Sequence, residues 1–390
     1  MLQQKLSFRS LLFASIVSFA ITSCSDDDVV TPVVPPVTDL RTKIDYATLT
    51  ATTPYSTPFV DASKATTVDL SNGNNRYKMF QAMNVYISSS ISGNKEIDGA
   101  VLKNMFANTG NPFADSTKLN TSGVQVRDKV ASSWPAADAE AVRARFETLF
   151  TETATVSKSV TAVAEKGKAG KLGTYLVNAQ GIEPIQIIQK SLIGSLQYDY
   201  IANVLLTSGL NADNTKLVAG KNYTQLEQNW DEAYGLLTLN PVYLLGSTDD
   251  KRGTTEFALG SYVWEYNKAA YAQIYPAFLK GRAAIVNNDK AELTKQADFI
   301  KASFEKAIAS AAVGYMGKWT SGTTDAAKVH AIGEGLGFIY SLRFLKINGG
   351  DAAFSDGLLL GLVGSPNGFW DLTPAKVTAA SDAIKAKFKL

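Results

Sequence analysis

The sequence is poor in the side chains that most often carry chemistry. Its 390 residues include one cysteine, Cys24, and one histidine, His330. A single cysteine excludes an internal disulfide, and a single histidine excludes the H-E-x-x-H pair of a zinc peptidase. The lone histidine also leaves no convincing triad of serine, histidine and acid, and no G-x-S-x-G turn is present. These absences favour a binding protein over an enzyme.

The first 24 residues have the three parts of a lipoprotein signal. Lys5 and Arg9 supply a basic start, residues 11–20 are apolar, and the motif I-T-S-C places a small residue directly before Cys24. We therefore predict a signal peptide over residues 1–23 and a lipid on the Cys24 thiol. An ordinary secretory signal with an incidental cysteine is the alternative.

The chain also has little net charge and few long apolar runs. Removing residues 1–23 takes two of the 38 basic side chains and no acid, which leaves 36 basic and 36 acidic side chains. A neutral chain lacks the basic surface that attracts nucleic acid or an anionic membrane, so we expect no nucleic-acid partner. No stretch after residue 23 reaches the roughly 18 apolar residues of a membrane-spanning helix.

The segment that follows the cysteine is polar and extended in character. Ser25 and three aspartates at 26–28 resemble the export signal that sends Bacteroidetes lipoproteins to the outside of the outer membrane, and a solvated tether is the alternative. We expect a lipid anchor in the outer membrane, with the protein on the cell surface or the periplasmic face. Residues 24–75 are rich in Val, Thr, Ser and Pro, which predicts a lipidated tether and extended segment. Tyr46, Tyr55 and Phe59 indicate that its later part lies against the domain.

From residue 76 onward the apolar side chains have helical spacing. Tyr77, Phe80, Met83 and Ile87 recur at intervals of three and four, and similar segments continue to the C-terminus. No segment alternates with a period of two over a useful length. We predict an all-α fold in which residues 76–390 form a multi-helix bundle of about nine or ten helices, as one large domain or two fused bundles.

Several of the 29 glycines fall inside these helical patterns, among them Gly194, Gly333 and Gly337. A glycine within a helix costs up to about 1 kcal/mol relative to alanine, so it usually marks a point where another backbone or a ligand comes close. Close helix packing is the commoner reason.

His330 and Glu334 are one helical turn apart, and Gly337 and Ser341 follow on the same face. An imidazole nitrogen and a carboxylate oxygen directed at one point supply half the ligands of a site for a divalent metal or iron. The remaining ligands would be Asp, Glu, Tyr or water. The alternative, which the spacing alone favours, is a hydrogen bond from the histidine to the glutamate between packed helices.

A second acidic block, W-D-E-A-Y-G, covers residues 230–235. Asp231 and Glu232 place carboxylates on adjacent faces of a helix, and in a bundle interior they would serve as ligands. We expect at least one of them to lie near His330, so the predicted metal ligands are His330, Glu334, Glu232 and Asp231. An amphipathic helix with its acids in water is the ordinary alternative.

Four features together resemble an uncharacterised family of Bacteroidetes lipoproteins: the lipobox followed by acids, W-D-E-A-Y-G at 230–235, H-A-I-G-E at 330–334 and G-S-P-N-G-F-W-D at 364–371. That family accompanies imelysin-like proteins and outer-membrane receptors in iron or haem uptake, so the resemblance implies an accessory role there. Imelysin-like proteins carry G-x-H-x-x-E. Here the glutamate follows the histidine by four residues, and Lys328 replaces the glycine, which argues against the peptidase activity attributed to imelysins.

Three classes of function therefore follow from the sequence. The first is an accessory binding lipoprotein for iron, haem or another metal, with an outer-membrane receptor as its partner. The second is a glycan-binding lipoprotein of the starch-utilisation type, and the third, the least supported, is an imelysin-like metallopeptidase. A metal-binding protein should gather carboxylates around His330, whereas a glycan-binding protein should expose a flat row of two or three aromatic side chains.

Overall fold

The computed structural model describes residues 40–114, 116–238 and 257–390. The signal and Cys24 lie outside these ranges. Within them the chain forms twelve α-helices and almost no strand, which confirms the predicted all-α fold. The helices are α1 Ser71–Ser92, α2 Gly99–Ala107, α3 Thr117–Asn120, α4 Ala136–Ser157, α5 Pro184–Leu192, α6 Gln225–Leu237, α7 Leu259–Tyr266, α8 Lys268–Val286, α9 Lys290–Ser321, α10 Asp325–Ser341, α11 Ala352–Val363 and α12 Pro374–Phe388.

The remaining regular structure is short. Strands β1, Gly170–Leu172, and β2, Tyr175–Val177, form one antiparallel hairpin. Single turns of 3₁₀-helix occur at Tyr46–Thr48, Arg127–Lys129, Ser208–Asn211, Leu342–Phe344 and Gly368–Asp371. All described residues belong to one compact unit, Asp39–Leu390, so a single large domain describes the bundle better than two fused ones.

The helix count exceeds the predicted nine or ten because some helices are short and some patterns are interrupted. Asn267 is both the C-cap of α7 and the N-cap of α8, so residues 259–286 form two helices instead of one. The segment that starts with α5 also changes character, because Ile193–Leu205 is a π-helix of 13 residues. At its end the Leu206 N–H donates to the Ile201 carbonyl, five residues back, over 2.8 Å.

Side-chain caps begin many of these helices. The Thr224 hydroxyl accepts from the Glu227 N–H while the Glu227 carboxylate accepts from the Thr224 N–H, a complete capping box at α6. Asp289 caps α9 and Thr324 caps α10 in the same way, through one bond each. Pro184 in the first turn of α5 needs no hydrogen bond there.

Helix α9 is the centre of the packing. It has 32 residues and lies against α7, α8, α10 and α12. Its buried side chains include Ala309, Ala311 and Ala312, which are small enough for neighbouring helices to approach on several sides. The core is therefore continuous through α9.

Helices α5 and α10 pack unusually closely, because glycines on α10 face α5. A Cβ atom at Gly337 would lie 2.6 Å from the Lys190 Cβ and 2.8 Å from the Gln186 carbonyl oxygen, which no real side chain tolerates. The seam continues where Gly194 meets Ser341, whose hydroxyl donates to the Lys190 carbonyl over 2.7 Å. Close helix packing is thus the reason for these helix glycines.

Residues 40–70, which we call the N-terminal strap, are part of the domain. The Arg41 guanidinium binds the Glu227 carboxylate with two bonds of 2.7 and 2.8 Å. The Asn287 amide pairs with both backbone groups of Ile44, each over 2.8 Å, and the Tyr55 hydroxyl donates to Asp231 over 3.0 Å. The predicted boundary at residue 76 therefore lies inside α1, and the described part of the predicted tether is packed structure.

A buried ion-pair network holds the strap to the bundle. Arg282 of α8 is fully buried, and its guanidinium binds the Asp231 carboxylate over 3.0 Å and the Glu227 carboxylate over 2.9 Å. It also donates to the Thr67 hydroxyl of the strap over 3.1 Å. Arg282 thus compensates the buried charge of Asp231 and shares Glu227 with Arg41.

We expect Arg282→Met to destabilise the protein much more than Arg41→Met. Losing Arg282 leaves the Asp231 charge buried without its cation, which typically costs about 3–5 kcal/mol. Losing Arg41 leaves Glu227 still paired with Arg282, so a cost of about 1–3 kcal/mol is expected. Urea unfolding of the two variants measures the difference, and equal losses would show that the network does not depend on Arg282.

Candidate functional site

His330 lies on the second turn of α10, and its side chain is 31% exposed. Its Nδ1 atom is 2.8 Å from the Glu183 carboxylate. Glu183 is buried and precedes α5 directly, since Pro184 is the first helical residue. The sequence did not single out Glu183, although an acid immediately before a helix-starting proline is a signal that could have drawn attention to it.

Glu334 lies one turn after His330 and is largely buried. One carboxylate oxygen is 3.9 Å from the His330 Nε2, and the other is 2.9 Å from the Lys190 ammonium. The predicted hydrogen bond from histidine to Glu334 is therefore replaced by the bond to Glu183. We call Glu183, Lys190, His330 and Glu334 the His330 cluster.

Aromatic side chains border the His330 cluster on two sides. Tyr175 of β2 stacks on the His330 ring, with 4.1 Å between ring centroids and 11° between planes. At the inner end, the Tyr262 hydroxyl is 3.5 Å from a Glu334 carboxylate oxygen and 3.5 Å from the Tyr315 hydroxyl. Both of these tyrosines are buried. Sequence reasoning missed them because α7 and α9 are brought together only by tertiary packing.

The electrostatics of the cluster follow from burial and pairing. Burial opposes protonation of His330, but the hydrogen bond that the imidazole donates to Glu183 and the charges of Glu183 and Glu334 outweigh it and raise the imidazole pKa. Burial raises the pKa of Glu183, which the imidazole partly offsets. Burial also opposes ionisation of Glu334, yet the Lys190 charge lowers its pKa overall. Burial raises the pKa of the Tyr262 and Tyr315 phenols.

The G-S-P-N-G-F-W-D segment at 364–371 supports the turn that carries Glu183. The Phe369 N–H donates to the Gln180 carbonyl over 2.9 Å, and the Trp370 indole donates to the Ala179 carbonyl over 3.1 Å. The Asn178 side chain closes the same turn by accepting from the Ile182 N–H over 2.9 Å. This motif therefore positions an acid of the cluster from a distant part of the chain.

The structure brings together His330 and Glu334 but does not bring Asp231 or Glu232 to them. Asp231 binds Arg282, and Glu232 binds the Arg76 guanidinium and accepts from the Tyr200 hydroxyl over 3.1 Å. The physical reason is that α6 packs against α1, α8 and the π-helix, whereas α10 packs against α5 and α9. Of the four predicted ligands, His330 and Glu334 lie together, whereas Asp231 and Glu232 lie elsewhere and pair with arginines.

Two features are absent from residues 40–114, 116–238 and 257–390. In these ranges no group of three or more His, Cys, Asp or Glu side chains is arranged to hold a metal ion. No helix within them is long and apolar enough to cross a membrane. By its distances, the His330 cluster offers one imidazole nitrogen and one carboxylate oxygen toward a common point, and the Glu183 carboxylate contacts the other imidazole nitrogen.

We expect the pKa of His330 to lie above the ordinary value of about 6.5 and to fall in Glu183→Gln. The folded protein holds the imidazolium between two carboxylates, while Lys190 opposes it. The resulting stabilisation is fully present below pH 6.5 and is lost as pH rises through the folded-state pKa. The single histidine gives one imidazole signal in an NMR titration.

Glu232→Gln is the control, because Glu232 contacts Arg76 and should leave the imidazole titration unchanged. A wild-type His330 pKa at or below 6.5, or a His330 pKa that does not change in Glu183→Gln, would contradict the pairing of His330 with Glu183.

Comparison with known proteins identifies a family but no characterised relative. Residues 57–390 match a family model described as "Domain of unknown function (DUF4856)". A search of the curated proteins finds no match, and neither does a search of the solved structures. Because the match covers most of the sequence, including all twelve α-helices of the described residues, the chain belongs to the DUF4856 family.

Proposed function

We propose that the protein is an accessory binding lipoprotein for the acquisition of iron, haem or another metal, and that the His330 cluster is its binding site. The observation that carries this proposal is the arrangement around the only histidine. Buried carboxylates lie on both sides of the imidazole, and its side chain is still 31% exposed. Carboxylates beside the histidine support a metal-binding function over a glycan-binding one.

The Glu183 contact supports a ligand role for the imidazole. When Nδ1 donates to a carboxylate, the tautomer is fixed, and the Nε2 lone pair is free to bind a metal. The Nε2 atom and the nearest Glu334 oxygen are 3.9 Å apart. Two atoms that bind the same metal at about 2.0–2.2 Å lie roughly 3–4 Å apart, so a small rotamer change lets both reach one ion.

The number of donors favours a metal that arrives with ligands of its own. His330 and Glu334 supply two donor atoms, and a transition metal takes four or more. Haem iron or an iron chelate brings the missing ligands, whereas a catalytic zinc site would need a third protein ligand. The arrangement therefore supports acquisition better than the imelysin-like peptidase alternative.

The glycan-binding alternative receives less support from the surface. A sugar platform requires aromatic rings exposed to solvent. Among the described residues the large apolar side chains with high exposure are all aliphatic: Leu40, Val85, Val163, Leu217, Ile347, Leu360 and Leu390. We therefore keep metal acquisition as the proposed function.

His330→Ala should abolish binding of iron or haem while lowering stability by only about 1–3 kcal/mol, the cost of leaving Glu183 without its partner. Equilibrium dialysis followed by elemental analysis measures metal binding, and haem titration by absorbance measures haem. Glu232→Gln is a matched control, since it removes a buried carboxylate from α6 and should leave binding intact. If His330→Ala binds like wild type and only unfolds at lower temperature, the histidine is structural and the proposal fails.

The proposed location is the outer membrane, through a lipid on Cys24, with an outer-membrane receptor as partner. Lys5, Arg9 and the I-T-S-C motif support this part of the proposal. The Cys24→Ser variant should move to the soluble fraction while the wild type stays with membranes, because one thiol carries the anchor. Fractionation with immunodetection measures this, and equal partitioning of the two proteins would contradict lipidation.

A further inference from the structure

Two tyrosine hydroxyls lie at the buried end of the His330 cluster, next to Glu334. The Tyr262 hydroxyl is 3.5 Å from a Glu334 carboxylate oxygen and 3.5 Å from the Tyr315 hydroxyl. All three side chains are buried, with Tyr262 on α7, Tyr315 on α9 and Glu334 on α10. Three helices thus direct three oxygen donors at one region, and the His330 Nε2 lies 3.9 Å from the other oxygen of the Glu334 carboxylate.

We propose that this region binds a ferric ion through the phenolate oxygens of Tyr262 and Tyr315, the Glu334 carboxylate and the His330 Nε2 atom. The inference rests on the proposed function and deepens it, because it names the oxidation state and two further ligands. Phenolate and carboxylate are anionic oxygen donors, which a hard trivalent cation prefers. On binding, each phenol releases one proton to water, and the iron stays ferric.

When both phenols bind as phenolates, charge balance favours a trivalent ion. With a neutral imidazole, the two carboxylates and the Lys190 ammonium leave the cluster with one excess negative charge. A ferric ion with two phenolates adds one positive charge and brings the total to zero. A divalent ion with two phenolates adds nothing, so the buried excess charge would remain, and uncompensated charge is costly in a buried site.

Lys190 places its own positive charge at the Glu334 carboxylate. Its ammonium is 2.9 Å from Glu334 and 5.3 Å from the centre of the Tyr262 ring. An incoming ion must displace it from the carboxylate, so Lys190 competes with iron for Glu334. Replacing Lys190 with a neutral residue of similar length should therefore strengthen ferric binding, an effect that a purely structural lysine would not produce.

The test uses the full chain and ferric nitrilotriacetate as the probe. Wild type should develop the visible absorption band of phenolate-to-iron charge transfer, and Tyr262→Phe and Tyr315→Phe should each lose most of that band and bind ferric iron about 10–100-fold more weakly. Lys190→Met should bind at least about tenfold more tightly, since its competing charge is gone. Tyr340→Phe is the control, because the buried Tyr340 hydroxyl lacks a hydrogen-bond partner among the described residues.

The outcomes separate this inference from the proposed function. Ferric binding that depends on His330 but shows no phenolate band, or a band that survives in both Phe variants, overturns the tyrosine site and leaves the metal-acquisition proposal standing. Absence of iron, haem and divalent-metal binding in wild type overturns both. A band lost in Tyr262→Phe and Tyr315→Phe, and retained in Tyr340→Phe, supports the ferric site.

Discussion

The close approach of α5 and α10 determines the geometry of the His330 cluster. Gly337 has no side chain where the Lys190 Cβ lies, and any larger residue would push the two helices apart. Because the helices touch through their backbones, Glu183 and Lys190 of one reach His330 and Glu334 of the other. Glycines within a helix lower its stability, but they allow the two helices to approach closely enough for these polar contacts to form.

A second set of constraints acts on the ends of α5. The π-helix that follows α5 carries Gln197, whose amide donates to the Leu236 carbonyl over 2.9 Å and accepts from the Leu259 N–H over 3.0 Å. It thereby joins the end of α6 to the start of α7, the helix that carries Tyr262. Before α5, the segment around Phe369 fixes the turn that ends in Glu183. The cluster is therefore supported from segments far apart in the sequence.

The sequence predicted those features that depend on residues close together in the chain. Helical spacing predicted the all-α fold, and the interval of four residues placed His330 and Glu334 on one side of α10. It could not reveal Glu183, Lys190, Tyr262 or Tyr315 as neighbours, because those contacts are created by packing between helices. Asp231 and Glu232 looked equally suitable as ligands, but their arginine partners, Arg282 and Arg76, come from other helices that no local pattern connects to them.

The contrast between those acids and the His330 cluster is electrostatic. Asp231 and Glu232 face guanidinium groups, which stay protonated at any physiological pH, so their charge is compensated permanently. In the His330 cluster two carboxylates share one ammonium and one imidazole, and the imidazole can lose its proton. Whenever it is neutral, the cluster is one positive charge short. A cation that enters there relieves a buried imbalance, whereas a cation near Arg282 or Arg76 would create one. This difference is why we propose the His330 cluster, and not the arginine pairs, as the binding site.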